Sequence, residues 1–120
     1  MLGKTKFLTA LAVGAVATGL VMPGDANAKM EGDTITLGAA LSFTGKYSTN
    51  GKHTKNGYVF KQKTAYEMGG VKIGGKTYKL KVKYYDDEST PARGAQLIER
   101  LVNQDGVKLM LGPYSSGMTK

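Results

Sequence analysis

The chain has 120 residues, 41% of them hydrophobic, and a formal charge of +8. It has neither cysteine nor tryptophan, which excludes disulfides, thiolate metal sites, cysteine nucleophiles and a lipid-modified N-terminal cysteine. The length allows one small domain.

Residues 1–28 read as a secretory signal peptide. "MLGKTK" carries two lysines, "FLTALAVGAVATGLVM" is an uncharged apolar run, and "PGDANA" supplies a helix breaker and a small-residue site at Ala26-Asn27-Ala28. The run is shorter than the ~20 residues of a membrane span and is rich in Gly and Ala. Cleavage would start the mature chain at Lys29, with 15 basic against 8 acidic residues. The lysines are scattered rather than clustered with stacking aromatics, so the basic balance reads as a charged surface and not as a nucleic-acid site.

The first element, "TITLGAAL" from Thr34 to Leu41, is a nearly continuous apolar run that suits a strand buried on both faces. "SFTGKYSTNGK" follows as a loop of glycines and hydroxyls. A helix is expected from about His53 to Met68, with Tyr58, Val59, Ala65 and Tyr66 on one side, and Gly69-Gly70 ends it. Gly74-Gly75 is a tight turn between a short strand and a longer one. In the longer strand Tyr78, Leu80, Val82 and Tyr84 alternate with Lys79, Lys81 and Lys83, so one face is buried, and the lysines mark a sheet edge. The next helix has Thr90 as cap, Pro91 in its first turn, Ala95, Ile98, Leu101 and Val102 as its stripe, and Gly106 as its stop. "VKLMLG", Val107 to Gly112, is a third strand.

Helices between apolar strands imply an α/β fold with a Rossmann-like parallel sheet and right-handed crossovers. The edge character of the second strand gives the order 2-1-3 in the part present, and a switch point lies between the first and third strands. The loops "SFTGKYSTNGK" and "GPYSSGMT" should face the crevice at that point, where doubly wound sheets bind ligands.

"ITLGAALSFTGKYSTNG" and "EMGGVKIGGKTYKLKVKYYDDESTPARGAQLIERLVNQDGVKLMLGPYSSG", with the signal peptide before them, resemble the leucine-binding, branched-chain amino-acid type of periplasmic solute-binding protein that serves ABC importers. The order and spacing of the "TG" loop, "GG", "YDD" and the Gly-x-x-x-Ser turn carry the resemblance. It implies two Rossmann-like lobes that close over a ligand, so 29–120 would be the incomplete N-terminal lobe of a longer protein of ~200–300 residues. It also implies that Ser116 holds a ligand carboxylate through its hydroxyl and a backbone N–H. The start of a helix there would add a partial positive charge. Tyr114, Ser115, Tyr47 and Asn50 complete the candidate ligand-binding set, and Asn50 stands where some relatives carry an aromatic residue.

Other chemistry has less to work with. "GPYSSGMTK" nearly matches a phosphate-binding loop, but Met118 occupies the lysine position. Asp86, Asp87 and Glu88 read as charge near a helix start or in a solvated loop rather than as a metal or acid/base site. His53, the only histidine, sits in no zinc or Ser-His pattern. No cofactor or metal is expected, and no enzymatic activity. The expected function is capture of a small carboxylate, foremost an aliphatic amino acid, for an inner-membrane ABC permease, by a periplasmic protein that is a monomer when complete. Alternatives are an extracytoplasmic sensor of the same fold, an exported hydrolase, or a site for an amide, urea or an aromatic acid. The piece ending at Lys120 is not expected to bind ligand tightly alone.

Overall fold

The computed structural model of the protein describes residues 30–120. The signal-peptide reading of 1–28 falls outside these residues. Among the described residues no helix is long and apolar enough to cross a membrane.

The elements are β1 (Met30–Glu31), β2 (Thr34–Leu41), α1 (Ser48–Glu67), β3 (Val71–Ile73), β4 (Lys76–Asp86), α2 (Pro91–Asn103), β5 (Leu109–Leu111) and α3 (Ser116–Thr119). β2 is central, as its continuous apolar pattern requires. It pairs in parallel with β4 from Thr34↔Lys79 to Leu41↔Asp86, and with β5 from Leu37↔Leu109 to Ala39↔Leu111. The parallel core is thus β4-β2-β5, the 2-1-3 order expected. Two short antiparallel pairs extend it: β1 folds back on the start of β2, and β3 turns through Gly74-Gly75 onto β4. The hairpin was legible in the sequence. β1 was not, because two residues carry no periodicity.

The pleat of β2 and β4 separates two faces. Tyr78, Leu80, Val82 and Tyr84 point toward α1, whose Gln62 side chain donates to the Leu80 carbonyl at 2.9 Å and whose Lys55 lies over Tyr84. Gly38 faces α2, where an added Cβ would sit 3.1 Å from Leu101. On that same face Lys83 and Tyr85 reach Asp105 at 2.6 and 2.9 Å, just past the end of α2. The ion pair holds the Asp105 carboxyl below the usual carboxylate range and the Lys83 ammonium above its ordinary value. Ile35, Ala39, Ala40, Leu41, Tyr78, Leu97, Leu101 and Val107 form the core.

Two helix expectations need correction. α1 starts five residues earlier than His53, at Ser48. Of its expected apolar side, Val59, Ala65 and Tyr66 do line one groove beside β4, but only Tyr58 and Ala65 are half-buried, Val59 and Tyr66 are exposed, and Gly51 is the one fully buried residue of the helix. The helix instead meets the sheet through close backbone approach at Gly51 and polar contacts from Tyr58 and Gln62. In α2 the buried positions are Gly94, Leu97 and Leu101, so Leu97 takes the place assigned to Ala95. Thr90 is the N-cap residue and Pro91 follows it, but the Thr90 hydroxyl points back to the Glu88 carbonyl at 3.3 Å rather than into the helix.

Candidate functional site

The loop after β2 and the loop after β5 leave adjacent parallel strands at their C-terminal ends, so they must emerge side by side. They touch. The Tyr47 and Tyr114 rings lie 5.9 Å apart, centroid to centroid, at 55° to each other. Lys46 Nζ sits 4.7 Å from the centroid of the Tyr47 ring, which places one positive charge on this corner.

A third contact fixes the spacing of the corners. Tyr58, on the third turn of α1, donates its hydroxyl to the Gly112 carbonyl at 2.7 Å. The helix that follows the first corner is therefore tied to the backbone of the second. Burial raises the Tyr58 pKa, so it stays a neutral donor. Tyr84 beneath it is raised too, first by burial and then by Tyr58.

The predicted residues are placed as follows. Tyr47 is half-buried at the N-cap position of α1, and its N–H donates to Ser89 Oγ at 3.0 Å. Asn50 is in the first turn of α1, not in a loop, and its carbonyl accepts from Thr54 Oγ1 at 2.9 Å. Tyr114 is 46% exposed, with its ring against that of Tyr47. Ser115 is the N-cap residue of α3 in extended conformation, but its side chain makes no capping bond. Its hydroxyl oxygen is buried and has no hydrogen-bond partner among the described residues. Ser116 opens α3 and is exposed. Tyr47 and Tyr114 are thus in direct ring contact, and Asn50, Ser115 and Ser116 lie within a few residues of them on the same two corners.

The sequence reading missed what holds the first corner. Asp86, the last residue of β4, accepts four hydrogen bonds: from the N–H groups of Phe43, Thr44 and Glu88 at 2.9, 3.2 and 2.9 Å, and from Thr44 Oγ1 at 2.8 Å. Partial burial pushes its carboxyl up, but these bonds together outweigh it and hold it below the ordinary range. Asp87 is fully buried. It accepts from Ser42 Oγ at 2.6 Å and the Ser89 N–H at 2.8 Å. Ser89 Oγ donates to the Thr44 carbonyl at 2.7 Å. The run Asp86 to Ser89 is therefore a latch on the corner, not a solvated acidic loop. Glu88 and Ser89 adopt left-handed φ values of 55° and 59° to make it. The sequence signal was present: two adjacent acids at the end of a strand beside a central one are well placed to take up loop N–H groups.

Gly51 completes the corner. A Cβ there would land on the Ser42 carbonyl oxygen, with the carbonyl carbon at 2.6 Å. Only glycine allows α1 to begin this close to the end of β2. Among the described residues no group of three or more His, Cys, Asp or Glu side chains is placed to hold a metal ion.

A family model described as periplasmic binding protein matches residues 34–120. Among solved structures, a branched-chain amino acid transporter substrate binding protein from Streptococcus pneumoniae, in complex with isoleucine, is 29% identical with a TM-score of 0.62, over 72% of this chain and 24% of that one. A solute binding protein of an ABC transporter from R. palustris, in complex with benzoate, is 25% identical with a TM-score of 0.55, over 70% of this chain and 22% of that one. A possible leucine/isoleucine/valine-binding protein from Rhodopirellula baltica SH 1 shares the fold, with a TM-score of 0.63 at 20% identity, over 82% of this chain and 24% of that one. The chain spans about a quarter of the length of these relatives. The family match begins at the first residue of the central strand and takes in both corners of the crevice, and the chain belongs to the periplasmic binding protein family.

Proposed function

We propose that this chain contributes the first part of lobe 1 of an exported ABC-importer substrate-binding protein, with residues 1–28 removed as a signal peptide. Its ligand is a small carboxylate, foremost a branched-chain or aliphatic amino acid. The observation that carries the reading is the meeting of the two corners at 5.9 Å across the switch point, with the uncapped, buried Ser115 hydroxyl beside the exposed Ser116. Hydroxyl and N–H donors suit an anion because they stabilise it without bringing a counter-charge that must itself be desolvated. Tyr47 and Tyr114 supply an apolar wall with polar tips. Closure of a second lobe over this surface would favour the bound form by contacts made only when both lobes meet the ligand. The protein is expected to work as a periplasmic monomer that delivers its solute to an inner-membrane permease.

An aromatic acid is the second reading. It is favoured by the tilted tyrosine pair, whose rings could stack on an aromatic ligand.

Calorimetric titration of the full-length protein with isoleucine, leucine, benzoate, acetamide and urea tests both. Binding of a carboxylate that weakens about tenfold or more in Ser116→Ala supports the site. Tight binding of urea or acetamide with no response to any carboxylate overturns it. N-terminal sequencing of the exported protein should begin at Lys29.

A further inference from the structure

The turn that carries Ser115 and Ser116 has little of its own to hold it. α3 is four residues long, and a helix that short does not stand without tertiary contacts. Its hydrogen bonds close on one atom: the Ser115 carbonyl oxygen accepts from the Met118 N–H at 3.0 Å and from Thr119 Oγ1 at 2.9 Å. α3 packs on α2, and there a side chain meets the space left by a missing one. Gly94, the fourth residue of α2, is buried, and a Cβ added to it would sit 2.9 Å from Met118 Cε and 3.8 Å from Asp87 Cβ. Ala40, Pro91, Ile98 and Pro113 line the rest of this recess.

A glycine inside a helix weakens it relative to alanine, because its backbone loses more freedom on folding. The backbone of α2 does not call for one here: Gly94 has no left-handed φ, and its N–H makes the ordinary helical bond to the Thr90 carbonyl at 2.9 Å. What Gly94 provides is room for the Met118 methyl. A methionine end is flexible and fills an irregular gap, and close-packed walls then hold it in one place. α2 is itself fastened at Asp87, whose carbonyl accepts from the Thr90 N–H at 2.9 Å and whose carboxylate holds Ser42 just past the end of β2. The second corner is thus registered against the same acid that anchors the first. Gly94 is buried and Met118 half-buried, so their contact does not depend on what covers the outer faces of the lobe.

We propose that Met118 is a positioning residue of the ligand site and that Gly94 is its seat. Their contact sets the direction in which Ser115 and Ser116 present hydroxyl and N–H groups to a carboxylate. Met118 acts through Ser115, to whose carbonyl its own amide is bonded. The inference rests on the reading of Ser115 and Ser116 as ligand residues. It adds that α2, which supplies no residue of the candidate set, governs affinity through the size of the side chain at its fourth position. Small faces large across this contact, so a change on one side acts through the other.

The test is a double-mutant cycle in the full-length protein, read by calorimetric titration with isoleucine, by thermal melting, and by amide exchange without ligand. Gly94→Ala pushes on a flexible side-chain end and gains helix propensity. The melting temperature should therefore hold or rise while isoleucine affinity falls about fivefold. Met118→Ala should lower affinity about tenfold. Adding Gly94→Ala to Met118→Ala should then change affinity less than about twofold, because the new methyl has nothing left to meet. Exchange should speed up at 116–119 in each single variant and not in β2. An equal Gly94→Ala effect with and without Met118→Ala overturns the proposal. So does unchanged exchange at 116–119 in both single variants, or an affinity loss that only tracks a lower melting temperature. Exchange needs no ligand, so it decides the seat even where isoleucine does not bind and the ligand reading fails.

Discussion

Replacing Asp86 by alanine removes one carboxylate and leaves four donors of the first corner without their acceptor. Hydrogen bonds to a charged group contribute about 1.5–3 kcal/mol each when buried. Thr44 and Glu88 are exposed, so water replaces most of what they lose; Phe43 is half-buried and its N–H is less easily rehydrated. The expected loss is about 2–3 kcal/mol in urea unfolding of the full-length protein, well below the gross sum of four bonds. The loss should also be local. Amide exchange should accelerate at Phe43, Thr44 and Tyr47 before it does in β2, and ligand affinity should fall because Tyr47 is no longer held against Tyr114. The sign with pH follows from the depressed carboxyl. Its contribution is fully present above the unfolded carboxylate pKa of about 3.9 and is lost as pH falls through the lower folded value. The stability gap between wild type and Asp86→Asn should therefore close on acidification through that window. A loss under about 0.5 kcal/mol for Asp86→Ala, with unchanged exchange at 43–47, refutes the latch.

Two glycines should respond to alanine to very different degrees. Gly51→Ala puts a methyl on the Ser42 backbone, which has no room to move, and should cost more than about 3 kcal/mol or abolish folding. Gly38→Ala meets the flexible end of Met110 at 3.0 Å and a methyl of the buried Leu101 at 3.1 Å, side chains rather than backbone, and should cost about 1–2 kcal/mol in the same assay. Glu88→Gly should raise the melting temperature, because relief of a left-handed non-glycine residue at φ 55° is worth about 1 kcal/mol and the side chain is exposed. A lower melting temperature would show that the Glu88 contact with Arg93, at 4.0 Å, outweighs the strain.

The elements that alternate or run apolar were readable. β2 has the boundaries its β-branched start and apolar run imply, and α2 begins at Pro91; the lysine alternation of β4 reads as a sheet edge, and β4 is the edge of the parallel core but not of the sheet, because β3 covers its first residues, Lys76 to Tyr78. From these the order of the sheet and the meeting of the two corners followed. α1 was misjudged because its attachment is not apolar. Ser48 to Gly51 look like loop residues, and the helix is seated by one glycine against a carbonyl and by Tyr58 and Gln62 bonding to backbone, which leave no periodic signature. The Asp86-Asp87 pair was read by its charge, whereas its role depends on acceptor capacity and on which N–H groups the neighbouring strand delivers. That is a tertiary fact, 42 to 45 residues away in sequence.

The Tyr58–Gly112 bond has one more bearing on how such a pocket diversifies. A single phenol on the helix behind the first corner fastens that helix to the backbone of the second, so the separation of the corners is held by a residue outside the candidate ligand-binding set. Under the proposed function, substitutions at Tyr47, Asn50 or Tyr114 should change which solute is preferred and leave the separation of the two corners unchanged.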